Sequence, residues 1–249
     1  MTILSILFFV TALIYSSVGF GGGSTYLALL LLWGVPYHIF PIIALVCNII
    51  VVSGNSFNYS RAGNLNIKLL LPYLLGSIPF AFIGGSIQIE KDLFEIILFF
   101  VLGIAGGLLL INFKSYDDNS KSYKTLPIYI SSSIGIVLGF VSGIVGIGGG
   151  IFLSPILYLF KAAKPKHITT VASLFILINS IFGLIGQLSK NQNLFELKEF
   201  LYLLLAVFIG GQIGNFINLK ILSSKILALI TSLIVIFVAA RIGFNIFSI

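Results

Sequence analysis

A cluster of glycines occurs twice in this chain, each time inside a long apolar run. The first copy reads Ser17-Val18-Gly19-Phe20-Gly21-Gly22-Gly23-Ser24 and the second Gly143-Ile144-Val145-Gly146-Ile147-Gly148-Gly149-Gly150, with the shared core that starts at Gly19 recurring 127 residues further on at Gly146. A glycine in a helix interior costs about 1 kcal/mol relative to Ala, so four of them within five positions interrupt a helix. An interruption inside lipid leaves backbone N–H and C=O groups without water to pair them. That is tolerated only where the backbone is buried in protein or lines a polar cavity. The two breaks are therefore the candidate working site.

That the runs lie in a membrane follows from the rest of the chain. Its 249 residues are 58% hydrophobic and 8% charged, with a mean hydropathy of +1.15. This is too little charge to cover a soluble surface. The expectation is an all-α polytopic membrane protein in which residues 1–249 form one transmembrane domain. The 14 Lys and Arg residues, net charge +7, are scattered through short loops. They suit attraction to anionic lipid and the fixing of topology, and no nucleic-acid partner is expected. The single cysteine, Cys47, excludes an intramolecular disulfide or a thiolate metal cluster. Met1–Val10 has no positively charged start, which argues against a cleaved signal peptide.

About 20 apolar residues cross a bilayer. Met1–Trp33 is apolar except at the first break, and Ile39–Tyr59, Leu69–Ile89 and Leu93–Ile111 follow. Residues 113–125 are the longest polar stretch and read as a linker between a first repeat, 1–112, and a second, 126–249. Leu126–Phe160 holds the second break, and Ile168–Leu188, Phe200–Leu219 and Ile226–Phe247 complete the chain. The halves match beyond the glycines: Pro36-Tyr37-His38-Ile39 with Pro165-Lys166-His167-Ile168, Gly54 with Gly183, and Gly84 with Gly214, at offsets of 129, 129 and 130. So small a drift indicates an internal duplication.

Met1–Trp33 as one helix would be roughly 50 Å long, against a hydrocarbon core of about 30 Å. A hairpin folding back at the glycines fits better. Loop charges give an independent test. With single-pass broken segments the halves are parallel, and 8 Lys or Arg fall on one side and 6 on the other. With hairpins the halves are inverted and the split is 10 to 4, with Arg61, Lys68 and Lys166 on the rich side and Lys91 and Lys190 on the poor one. The positive-inside rule favours the second split. The expected architecture is two inverted repeats, each a glycine-broken helical hairpin followed by three transmembrane helices, with both termini on the non-cytoplasmic side.

Discontinuous helices that meet near the midplane are a recurrent transporter plan. The helix starts after each break offer unpaired N–H groups and about half a positive charge. Glycine also lets a ligand approach the backbone closely. This makes an anion site without a cationic side chain. The candidate substrate contacts are Gly19, Gly21, Gly22, Gly23, Ser24 and Thr25 at the first break, and Gly146, Gly148, Gly149 and Gly150 at the second. Asn48, Thr170, Ser173 and Asn179 join them from the helices that follow. The bland alternatives are close helix packing for the glycines and interhelical hydrogen bonds for the polar residues. His38 and His167 are repeat-equivalent and sit near span ends, where interfacial packing is the leading reading and proton coupling the alternative. All acids fall in loops or first turns, so neither a carboxylate proton relay nor a cation site is expected. No nucleotide loop, metal-binding helix or catalytic triad is visible. No cofactor, metal or enzymatic activity is expected.

The run Gly143 to Pro155, with Pro165 and Thr169-Thr170-Val171-Ala172-Ser173-Leu174, resembles the signature of the TauE/SafE sulfite exporter family. Asn48 and Ser60-Arg61-Ala62-Gly63-Asn64-Leu65-Asn66 resemble its first-half helix and loop. The likeness spans nearly the whole chain. It implies a multi-pass permease of the bacterial inner membrane that moves a small sulfur oxyanion, such as sulfite, or an organosulfonate outward as a secondary transporter. Two positions depart from the pattern: Ala28 stands where the second copy has Pro155, and Ala172-Ser173 replaces the usual Thr-Ser pair. A passive anion channel and a sulfur-relay protein built on Cys47 are the competing readings. The coupling ion, and whether two copies form a homodimer, stay open.

Overall fold

The computed structural model describes residues 2–17, 19–112, 123–190 and 200–217, together with isolated positions between 229 and 246. The described residues are helical, with no strand among them. Most of the expected linker and most of the final span lie outside them, as do Lys114, Lys121, Lys198, Lys220, Lys225 and Arg241.

Both apolar runs that carry glycine clusters are divided. The first gives α1 (Thr2–Ser16) and α2 (Gly23–Leu32), and after a short 3-10 turn at Tyr37–Ile39 come α3 (Phe40–Arg61), α4 (Ile67–Ser86) and α5 (Lys91–Asn112). The second gives α6 (Ile128–Val145) and α7 (Gly150–Leu159), followed by α8 (Pro165–Leu188) and α9 (Leu201–Ile217). At about 1.5 Å per residue, the 10 residues of α2 or of α7 reach only halfway across a bilayer. Tyr37–Arg61, Ile67–Ser86, Ile128–Val145 and Lys166–Leu188 are long and apolar enough to cross one.

Two helix pairs supply much of the packing, and each joins the first helix of one half to a helix of the other. α4 and α6 run parallel, with Gly135, Gly139 and Gly143 lying against the carbonyls of Tyr73, Ser77 and Ala81. α1 and α9 also run parallel, with Gly210 and Gly214 against the carbonyls of Phe9 and Leu13. Ser16 Oγ donates to Gly211 O (2.7 Å) in the same seam. The repeat-equivalent residues Gly84 and Gly214 do equivalent work: Gly84 lies on Phe140 O and Gly214 on Leu13 O. At these glycines a Cβ would strike backbone. The backbones therefore approach as closely as small residues permit, which is how membrane helices associate without a hydrophobic driving force.

α3 and α8 cross the middle antiparallel. Leu45 meets Gly183 at one end, and Ser56 Oγ and Ser173 Oγ share a hydrogen bond of 3.1 Å toward the other. The loops close on matching ends. His167 Nδ1 lies 2.7 Å from Asn64 O, and Lys124 N donates to Lys161 O (3.2 Å). At the opposite end Ser189 Oγ donates to Ser86 Oγ (3.2 Å).

Candidate functional site

The two breaks converge on one side chain. Asn48, in the middle of α3 and fully buried, donates its Nδ2 to the carbonyl of Ile147 (3.0 Å), inside the second break. The same amide faces the first break. A Cβ at Gly21 would collide with Asn48 Oδ1, and one at Gly23 would sit 2.7 Å from Asn48 Nδ2 and 2.8 Å from Ile147 O. From the second break, a Cβ at Gly148 would lie 3.0 Å from both Asn48 Nδ2 and Ser180 Oγ. Only glycine leaves room for the two chains to meet on this amide. Gly148 has a second reason, since its φ of +83° is the left-handed region that other residues enter only at a cost.

The breaks reach this point from opposite ends of α3. Gly19 lies against Tyr59 and Thr169, near the last turn of α3, and Gly146 lies against Pro41 in its first turn. Between them the short arms begin. Gly22 and Gly149 occupy the N-cap positions of α2 and α7 with left-handed backbone. Thr25 and Tyr26 N–H donate to Gly22 O (both 3.0 Å), and Phe152 and Leu153 N–H donate to Gly149 O (3.1 and 3.2 Å). The N–H groups just ahead, on Gly23, Ser24, Gly150 and Ile151, have no intrahelical acceptor. Two short helices thus point their positive ends into one buried region.

The polar side chains there are incompletely paired. Asn48 Oδ1, Ser24 Oγ, Ser142 Oγ and Ser180 Oγ are buried without a hydrogen-bond partner. Left so, each costs about 1–3 kcal/mol. The fixed Nδ2 contact of Asn48 also sets which way its amide points.

The remaining sequence candidates divide. Gly150 packs on Ile176 and the Ala172 carbonyl, Gly149 on Phe175, and Gly22 on Thr11, Tyr15 and Tyr26. Thr25 Oγ1 pairs with Tyr15 Oη (2.7 Å), which ties α2 to α1. Thr170 donates to Lys166 O (2.8 Å) one turn back. Ser173 is paired with Ser56 across α3 and α8. Asn179 donates to Phe175 O (2.8 Å) and keeps an unpaired Oδ1. Ser180, its neighbour, is the residue of that pair that touches the second break. Cys47 is buried beside Asn48, and no group of metal-ligating side chains occurs among the described residues.

Over 238 residues the chain is 32% identical to a protein of Sinorhizobium fredii described as a probable membrane transporter protein, covering 93% of each. Proteins described in the same words match from Methanocaldococcus jannaschii, at 28% identity over 76% of this chain and 73% of that one, and from Bacillus subtilis, at 23% identity over 96% of each. No solved structure matches the chain. The family model for the sulfite exporter TauE/SafE matches residues 4–242, nearly the full length, and the chain belongs to that family of membrane transporters.

Proposed function

We propose that this protein is a secondary transporter that moves a small sulfur-containing oxyanion, sulfite or an organosulfonate, outward across a bacterial inner membrane. The observation that carries the reading is the meeting of both glycine breaks on Asn48. Two helix N-termini there contribute about half a positive charge each, which together balance one negative charge. Unpaired hydroxyls at Ser24, Ser142 and Ser180 add donors. A site of neutral donors binds an oxyanion and also releases it, as transport requires. Cys47 is buried with no second thiol in the chain, which disfavours a sulfur relay, and nothing in the proposed cycle calls for a cofactor or an enzymatic step.

In this reading residues 1–249 act as one transport domain of two inverted repeats. Supporting it, each half lends its first helix to a parallel pair with the other half, α1 with α9 and α6 with α4. The hairpin arms α2 and α7 approach Asn48 from opposite ends of α3. With the Lys- and Arg-rich loops in the cytoplasm, both termini lie on the non-cytoplasmic side. The breaks then sit near the midplane, where alternating access exposes them to each face in turn.

The test is sulfite flux into proteoliposomes for the wild type beside Asn48→Leu, with sulfate and chloride as competing anions. Saturable sulfite flux that Asn48→Leu abolishes supports the reading. Flux that rises linearly with concentration would make the protein a channel. Sulfite flux undiminished in a folded Asn48→Leu variant would move the site away from the breaks.

A further inference from the structure

A cavity of about 520 Å³ opens at the end of the bundle where α3 begins and α8 ends. Its polar lining comes from three elements: Tyr37 and His38 before α3, Gln88 and Glu90 between α4 and α5, and Gln187 and Lys190 at the end of α8. Its inner wall includes Pro41 and Ile144. Gly146 rests on Pro41, with a Cβ position 2.5 Å from Pro41 Cα, so this wall is the outer surface of the second break. Pro41 precedes Asn48 by seven residues, about 10 Å along a helix. The cavity therefore lies in line with the site at Asn48 but apart from it.

One side-chain chain joins the cavity to the broken helix. Lys190 Nζ donates to Gln187 Oε1 (2.8 Å). Gln187, almost fully buried, donates its Nε2 to the last carbonyls of α6, Gly143 O (2.6 Å) and Ile144 O (3.3 Å). Gln187 is thus held at both ends and positions the ammonium at the cavity wall. An ammonium has three donors, and this contact uses one. Among the described residues no carboxylate pairs with it, since the ion pair found nearby is Lys91 with Glu95 (3.7 Å), which lines an adjoining cavity. The titratable groups that share the cavity are Glu90, exposed on its loop, His38 and Tyr37. Burial lowers the Lys190 pKa to about 8, so the charge is held there at a cost that a bound anion would offset.

We propose that this cavity is a second binding station for a small sulfonate or related oxyanion, held by the Lys190 ammonium and passed along Pro41 to the second break. The ligand class rests on the transport reading above; the site rests on its own geometry. An anion seated on Lys190 stabilises the charged form, raises its pKa and slows reaction of the free amine.

The experiment is acylation of the purified full-length protein in detergent with acetic anhydride near the Lys190 pKa, scored by mass spectrometry of the peptide containing Lys190. Methanesulfonate, whose charge does not change in this range, is compared with chloride at equal ionic strength, and the exposed Lys91 is the internal control. An anion that raises the pKa by about one unit slows Lys190 acylation by up to about tenfold. The expected result is selective slowing at Lys190 by methanesulfonate, retained in Asn48→Leu and in the milder Ser180→Ala. Equal slowing by chloride, no slowing, or slowing lost in both variants would each overturn the second station. None of these outcomes bears on the transport reading, which stands or falls on sulfite flux.

Discussion

Asn48 of α3 and Ile147 of the second glycine break are joined by a 3.0 Å hydrogen bond from the Asn48 amide to the Ile147 carbonyl, 99 residues apart in sequence. The same amide abuts Gly21 and Gly23 of the first break. One side chain therefore holds both breaks in register. Asn48→Leu strands the Ile147 carbonyl, at about 1–3 kcal/mol for a buried acceptor, and removes the unpaired Oδ1. Sulfite flux should fall by at least about tenfold, the equivalent of 1.4 kcal/mol, with a lower melting temperature in detergent. A variant that melts lower yet transports at the wild-type rate would make Asn48 a purely structural tie.

Glycines in this chain differ in what they are for, and alanine separates them. At Gly148 a methyl meets Asn48 Nδ2 and Ser180 Oγ at 3.0 Å and Ile176 at 2.8 Å, on backbone with φ +83°. The backbone term alone is about 1–2 kcal/mol. Gly148→Ala should cost stability and most of the flux. Gly103 and Gly107 lie in α5 with nothing within 4 Å of a Cβ, so Gly103→Ala should be neutral or stabilising by up to about 1 kcal/mol with flux unchanged. Melting curves and flux on the two variants check both statements.

The breaks and the order of the described helices could be read from the chain because glycine density and apolar length are local properties. The scattered glycines were legible only in kind. Gly84 and Gly214 match by offset, but that each faces a carbonyl of the other half's first helix depends on which helices pair in space. The polar residues of α8 were harder. Asn179 and Ser180 are adjacent, and one residue turns a helix by about 100°. Only the packing of α8 against the second break decides that Ser180 meets Gly148, while Asn179 turns back one turn along its own helix to Phe175 O. That the Thr25 hydroxyl pairs with Tyr15 Oη was not legible either, because it depends on how α1 and α2 meet in space. Gln187 gave no signal at all, because its partners at Gly143 and Ile144 are 44 and 43 residues away.

Thr25 supplies a test of that last distinction. Its Oγ1 lies 2.7 Å from Tyr15 Oη in a buried pair between α1 and α2. Tyr15→Phe removes one partner and leaves Thr25 Oγ1 unpaired, at about 1–3 kcal/mol. The expected outcome is a lower melting temperature with the half-saturating sulfite concentration unchanged. A changed half-saturating concentration would show that Thr25 contacts substrate after all.

Topology can be checked without transport. His167 Nδ1 lies 2.7 Å from Asn64 O, so the loops holding Arg61 and Lys166 share one end of the bundle, whereas Lys91 begins α5 at the other. In a Cys47→Ser background, cysteines at Arg61 and Lys166 should react with a membrane-impermeant maleimide from the same face, and a cysteine at Lys91 from the opposite one. Labelling of the first two from opposite faces would exclude inverted repeats.

Lys190 gives the chain a pH response whose sign is fixed by burial. Its pKa is lowered from 10.5 to about 8 in the folded protein, while the unfolded chain keeps the ordinary lysine value. Between about pH 8 and pH 10.5 the unfolded state binds more protons than the folded one, so this group's contribution to stability rises with pH across that window. Below about pH 8 both states carry the charge and the contribution is flat at its least favourable value. The melting temperature of Lys190→Gln relative to wild type should therefore be highest near neutral pH and decline as pH rises through the window. Methanesulfonate, by raising the folded pKa, should narrow that difference for wild type near neutral pH. A difference that does not vary with pH would mean that the ammonium is solvated and the cavity too open to hold it.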